Sequence, residues 1–464
     1  MRFTVWSRAN RPAPVPSPIS RRVSVRTGSR SFSPAVEEGP AVTTPAKAMS
    51  SLASPDAPLL AGAGSRTAVG LAALAPLAAG MLATMIPVTM LVPMLRELVR
   101  TRFGVDPFWA HAFMSVNMLG AILFAPLGGL LADRLHAPRR WIAAALLVDA
   151  LCLLGMRYAP NFQTLMTLRF IEGAAHVQAV SLWMSVAAGL ASGPRAGRTM
   201  GVMGAALLLG TALGAPLGGA VGGADPLAVL IVGPVIAAAG VVVALLWVPA
   251  AAPQPRMESL AEALRTVRRH RWLLVPYVYT FIDRLCVGVI ISTLTLYLAE
   301  VLELGPASRG GMMAVFMVPM ALLCYPAGRL ADHWGRALPM AAGSVLFGVV
   351  FASYGLLNAG GMWTAMAFSG VFSALMFAPT LALCRDLAPA RLRTTAFAGF
   401  NAAGSLGFLA GPLLGGSLVH LLAPDYGLPA AYRAAFLAAG SAQVLCAVLS
   451  IPFLRALARR PAGF

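Results

Sequence analysis

Charge is what this chain has least of. Of its 464 residues only 11% are charged, whereas 58% are hydrophobic, and soluble domains carry about 25% charged residues. A chain so poor in polar surface cannot clothe a water-soluble globule, so lipid must cover it. The mean hydropathy of +0.76 agrees. Acids are scarcer still: 17 Asp and Glu stand against 35 Lys and Arg, a net charge of +18. Lysine is almost missing, with Lys47 alone. A basic chain can mean nucleic acid, but here the arginines fall between apolar runs and leave no basic fold unit, which argues against nucleic-acid binding. Five cysteines are present, Cys152, Cys286, Cys324, Cys384 and Cys446, all inside apolar segments and none in a CxxC pair. That excludes a disulfide frame and a cysteine metal site, and leaves small packing residues. The chain also lacks HExxH, GxSxG and GxxxxGK[ST]. Enzyme chemistry and intrinsic ATP hydrolysis therefore have no motif to stand on, and no cofactor or metal is expected.

What is present is a series of apolar runs, each long enough to cross about 30 Å of hydrocarbon. They lie near 68–95, 108–132, 141–158, 164–191, 201–222, 226–250, 272–299, 308–331, 338–358, 361–384, 394–421 and 429–454. Segments of this length satisfy their own backbone in lipid only as helices. The expected fold is an all-α membrane protein of twelve transmembrane helices. Residues 1–65 form a basic tail rich in Arg, Ser, Pro and Ala, whose composition favours disorder. It reads as a transit-peptide-like leader, as a cytoplasmic tail, or as an over-extended reading frame with Met49 as the start; no cleavable secretory signal is evident. Residues 66–250 make the first six-helix bundle, 251–271 a linker, 272–456 the second bundle and 457–464 a basic C-terminal tail.

Arginine placement sets orientation. The connections after the second, fourth, sixth, eighth and tenth runs carry Arg134, Arg139, Arg140, Arg195, Arg198, Arg256, Arg265, Arg268, Arg269, Arg271, Arg336, Arg391 and Arg393. Opposite connections carry few, Arg100 and Arg102 being the main exceptions. The positive-inside rule then places both termini in the cytoplasm, with a bacterial inner membrane as the expected location.

Two motifs recur at nearly one offset. Gly129-Leu-Leu-Ala-Asp133-Arg134 is echoed about 199 residues later by Gly328-Arg-Leu-Ala-Asp332-His-Trp-Gly335-Arg336. Gly210, Gly214, Pro216, Gly218 and Gly219 are echoed by Gly407, Gly411, Pro412, Gly415 and Gly416, about 197 residues on. A duplicated half in an apolar chain indicates a transporter built of two pseudo-symmetric bundles. Gly129 and Gly328 would let helices approach. Asp133 and Asp332 can face a helix N-terminus, and Arg134 and Arg336 can pair with a carboxylate, latching one conformation. The glycines of the second pair make a smooth face, and proline permits a bend.

Ionisable residues inside the runs are few. In the fourth run Arg169, Glu172 and His176 share one helix face, with Glu172 about 12 Å and His176 about 18 Å deep at 1.5 Å per residue. Glu172 is either a carboxylate that takes and releases a proton or one half of a permanent pair with Arg169. In the seventh run Asp283-Arg284 lies about 16 Å deep. Asp283 either faces a midplane cavity, with Tyr277, Tyr279 and Phe281 near it, or forms a salt bridge with Arg284 or Arg169. Asp149 in the third run fits a cavity or packing equally. The first run holds no acid, with Thr84, Pro87 and Thr89 its cavity candidates.

Over about residues 66–456 this pattern resembles the major facilitator superfamily. Gly129, Leu131, Asp133, Arg134, Arg139 and Arg140 are similar to its loop signature between helices two and three, with His136 where glycine is usual. Gly201, Gly210, Gly214, Gly218 and Gly219 resemble its antiporter motif, with proline shifted by one to Pro216, and Arg169-x2-Glu172-Gly173 resembles a motif implicated there in proton coupling. The resemblance implies a secondary transporter, drug/proton-antiporter-like, that alternates between inward- and outward-open states. The leading expectation is proton-coupled export of a small organic or amphipathic molecule, a drug or siderophore-like metabolite, by a monomer. Uptake of a small, possibly anionic metabolite and a sensor without flux are the other readings.

Overall fold

A computed structural model describes residues 71–134, 137–190, 196–248, 270–389 and 392–458, together with 265 and 268; the side chains of 71–73, 126–134, 196–198, 394 and 457–458 are outside that description. Most of the expected linker at 251–271 and both tails lie outside the described residues. Within them the chain is helical and holds no strand. We number the long helices α1 (Leu71–Met90), α2 (Pro107–Arg134), α3 (Pro138–Arg157), α4 (Phe162–Leu190), α5 (Ala196–Val221), α6 (Val229–Trp247), α7 (Arg271–Glu300), α8 (Pro306–Trp334), α9 (Ala337–Ala352) and α10 (Ala359–Leu387). Helix Arg393–Ala458 is broken at Gly427, where φ is 79° and ψ 160°, and is counted as α11 (393–426) and α12 (428–458). Its left-handed φ suits glycine, and the turn there reverses the chain.

Composition explains both the helices and their ends. Ala, Leu, Val and Met runs without partners for their backbone amides must bond internally in hydrocarbon. Pro76, Pro87, Pro216, Pro234, Pro319, Pro326, Pro379 and Pro412 sit inside helices, where neighbouring helices make up for the lost bonds. Asn358 caps α10 by accepting from the Gly361 amide at 2.8 Å. Gly335, with φ 81°, ends α8.

The expected twofold relation is visible in the packing. α1 packs on α5 and α6, as α7 packs on α11 and α12; α2 packs on α4, as α8 packs on α10; α3 packs on α4 and α6, as α9 packs on α10 and α12. Between the halves α2 meets α11 and α5 meets α8, two contacts that the same twofold exchanges. Gly173 of α4 sits against the Asn117 backbone of α2, and Gly370 of α10 against the Phe316 backbone of α8. The offset between these pairs is about 197–199 residues, the offset of the sequence motifs.

Candidate functional site

The repeated glycines seat the helices that join the halves. Gly210, Gly214 and Gly218 press on α1 at Met85, Thr89 and Met90, while Gly219 meets Pro306 of α8. In register, Gly407, Gly411 and Gly415 press on α7 at Phe281, Leu285 and Thr293, while Gly416 meets His111 of α2. At each of these positions a Cβ would collide with the neighbour. Pro216 and Pro412 lie within the same faces.

In the loop motif, Arg336 bonds Asp332 at 2.5 Å and Asp386 at 3.1 Å, tying the end of α8 to the end of α10. Burial works against the Arg336 charge, but its two carboxylate partners outweigh that and hold the guanidinium above its ordinary value. Among the described residues no group lies within 4 Å of a Cβ at Gly328, and Gly335 has a conformational reason for being glycine. The side chains of Asp133 and Arg134, and the surroundings of Gly129, lie outside the described residues.

The N-terminal half holds a sealed polar cluster. Arg169 is 1% and Glu172 0% exposed. Arg169 donates to Glu172 Oε2 at 2.9 Å, Asn117 of α2 donates to the same oxygen at 2.5 Å, and the Arg169 guanidinium lies 4.9 Å from the Phe113 ring centre. Asp149 of α3 joins them, its Oδ1 3.9 Å from His176 Nδ1. The i, i+3 and i+7 spacing on α4 collects Arg169, Glu172 and His176; what the spacing does not reveal is that their face points at α2 and α3.

Asp283 occupies a different place. It is buried, 3.8 Å from Arg284, in a narrow recess lined by Tyr279, Thr280, Met376, Phe377, Thr380 and Phe400. All belong to α7, α10 and α11. Arg284 lies between the rings of Phe377 and Phe408, at 4.8 and 5.3 Å. Of the expected aromatics only Tyr279 lines the recess; Tyr277 donates to the Ala396 carbonyl at 2.7 Å. The structure therefore does not bring Glu172 and Asp283 into one shared pocket. Each carboxylate keeps its own arginine, in its own half.

Sequence reasoning missed the joint between halves. Call the end where α1, α5, α7 and α11 finish the distal end. There Arg309 of α8 donates twice to Glu97, at 3.1 and 2.5 Å, and Arg100 pairs with Glu300. Tyr432 holds the other Glu300 oxygen at 2.7 Å, and Ser115 donates to the Leu409 carbonyl at 3.0 Å. Each half thus offers an acid to a base of the other. The two exceptions to arginine placement find their reasons here: Arg100 belongs to this joint, and Arg102 donates to the Met156, Arg157 and Ala159 carbonyls at 2.8, 2.8 and 3.0 Å, closing the end of α3.

A family model described as "Major Facilitator Superfamily" matches the chain twice, over residues 71–283 and 277–463. The chain belongs to the major facilitator superfamily. It is accordingly a multi-pass integral membrane protein. Among curated relatives, "Multidrug resistance protein 1" of Bacillus subtilis is 29% identical over 182 residues, covering 39% of this chain and 44% of that protein. "Quinolone resistance protein NorA" of Staphylococcus aureus is 24% identical over 183 residues, 39% of this chain and 45% of NorA. The match thus spans under half the length of these relatives. Solved structures share the fold across almost their whole length. A bacterial homolog of the human lysosomal transporter Spinster, inward-facing and unoccupied, has TM-score 0.68 and 14% identity over 84% of this chain and 96% of that one. The nucleoside transporter NupG has TM-score 0.67 and 12% identity over 84% and 100%.

Proposed function

We propose that this superfamily member exports a small organic or amphipathic molecule in exchange for protons, by alternating access. The observation that carries the reading is one carboxylate–arginine pair buried in each half, Arg169–Glu172 and Asp283–Arg284. The duplicated fold closes without charge at the counterparts of Arg169 and Glu172, Met366 and Ser369, both wholly buried. Intramembrane charge that the fold does not need marks a substrate or ion path. Glu172 and Asp283 take up and release the proton or contact substrate, Arg169 and Arg284 set their charge, and His176 extends the first site. Export is favoured over uptake by the resistance names of the curated relatives.

In this reading the proximal end and both termini face the cytoplasm of a bacterial inner membrane, and the bundles comprise 66–250 and 272–456. The distal joint closes the outer face, so the structure represents the inward-facing member of the cycle. The motif copies at Gly129–Arg134 and Gly328–Arg336 latch the opposite face when it closes, and one chain suffices as the working unit. Counterflow in reconstituted vesicles tests the mechanism: flux should follow an imposed pH gradient, and Glu172→Gln and Asp283→Asn should each abolish that dependence. Flux indifferent to the gradient and unchanged in both variants refutes it.

A further inference from the structure

We propose that Asp149, Glu172 and His176 form a binding site for a divalent transition-metal cation. Their ligating atoms all lie within 4.8 Å of one another, and all three residues are buried. Four lone-pair atoms there have no hydrogen-bond partner: both Asp149 oxygens, Glu172 Oε1 and His176 Nδ1. Leaving buried acceptors unsatisfied is costly, so a ligand that accepts these lone pairs is favoured.

Packing does not require these groups. At the offset of about 197–199 residues, Asp149 corresponds to Phe347, Glu172 to Ser369, His176 to Ser373 and Asn117 to Phe316, and every one of these is buried. Phe347 packs at a tilt against Phe351, Ser369 accepts from Tyr354, and Ser373 donates to Met320. The same three-helix junction thus closes with rings and hydroxyls. The N-terminal half has carboxylates and an imidazole where the repeat needs none.

The separation of Asp149 and His176 favours a metal over a proton shared between those two. A hydrogen bond draws its heavy atoms to about 2.5–3.2 Å, whereas Asp149 Oδ1 and His176 Nδ1 stand 3.9 Å apart. Metal–ligand bonds of about 2.0–2.2 Å put adjacent ligands of one ion at about 2.8–3.6 Å and opposite ones at up to about 4.4 Å, so small side-chain adjustments would close these donors on an ion. Glu172 and His176 lie one turn apart on α4 and approach from one side; Asp149 on α3 closes the other. Arg169 and Asn117 both bond Glu172 Oε2, which leaves Oε1 turned to the site. A metal would bind the two carboxyl groups in their ionised form, beside the single Arg169 guanidinium. Mixed oxygen and imidazole donors suit Zn2+, Co2+ or Mn2+, not the all-oxygen preference of Ca2+ or Mg2+.

Cobalt titration of the purified, chelator-treated full chain tests the site through the visible absorption of bound Co2+, a readout that needs no flux. About one equivalent should bind, with Zn2+ displacing it. Asp149→Asn and His176→Gln should each weaken binding at least tenfold, and Ser373→Ala, at the counterpart position, should leave it unchanged. Asp149→Phe and His176→Ser copy the residues of the second half, so they guard against loss of fold and should behave as the other two do. Absence of a Co2+ band in the parent chain overturns the proposal, as does equal binding in the parent and the Asp149 and His176 variants, or loss of binding in Ser373→Ala. Proton-driven flux is scored separately, so either reading can fail without the other.

Discussion

The distal joint gives the sharpest test of how the halves move. Arg309 has 1% of its side chain exposed and grips both oxygens of Glu97, which keeps 19%. Arg309 stands in the first turn of α8, where the helix dipole disfavours a cation, so the partner across the joint must supply its stability. Hydrogen bonds to charged groups contribute about 1.5–3 kcal/mol. The partial exposure of Glu97 puts this pair toward the low end, at about 2 kcal/mol. Because the pair spans the halves, its loss weakens only the distal-closed state. At 1.4 kcal/mol per factor of ten, Glu97→Gln or Arg309→Gln should shift the balance about thirtyfold toward the distal-open state. Spin labels at Asp106→Cys and Ala307→Cys, on opposite sides of the joint, report the balance by pulsed electron resonance. A longer distance should grow in each single variant, and the double variant should go little further, since one interaction cannot be lost twice. Unchanged distances, or fully additive shifts, refute the reasoning.

Other consequences are checked more simply. Arg102→Gln strips three carbonyls at the end of α3 of their donor and should lower stability by about 1.5–3 kcal/mol, seen as a lower midpoint of thermal unfolding in detergent. Gly173→Leu and Gly370→Leu each force a side chain onto a facing backbone and should destabilise by 1–3 kcal/mol or more, read as loss of monodisperse protein, whereas Gly201→Leu, which meets open space, should not. Trp183→Ala removes a fully buried ring packed on Gly80 and bonded to Thr84 at 3.1 Å; a loss of about 3–5 kcal/mol is expected from denaturant titration.

The helices were legible because hydrophobic length is a local property. The expected run at 108–132 is α2, 272–299 is α7 and 361–384 is α10, with ends shifted by one to three residues. The duplicated motifs likewise exposed the twofold, since register survives in spacing. What stayed hidden depends on which faces meet. Glu172 and Asp283 sit at similar depths, which invites one shared pocket, yet depth says nothing of rotation about the helix axis. Asp149 read as ambiguous because its partners come from another helix. Glu97, Arg309 and Glu300 left no signal, because each alone is an ordinary charge at a helix end and only assembly pairs them across about 200 positions of chain. Gly335 belongs to the repeated loop motif, but spacing alone does not reveal that its φ of 81° calls for glycine.

Gly219 of α5 meets the Pro306 carbonyl, and Gly310 of α8 meets the Ala215 carbonyl, so there the two bundles touch main chain to main chain. At that contact no side chain of either bundle has to be unthreaded when the two tilt. A single methyl at either glycine would act as a doorstop and hold the distal mouth ajar.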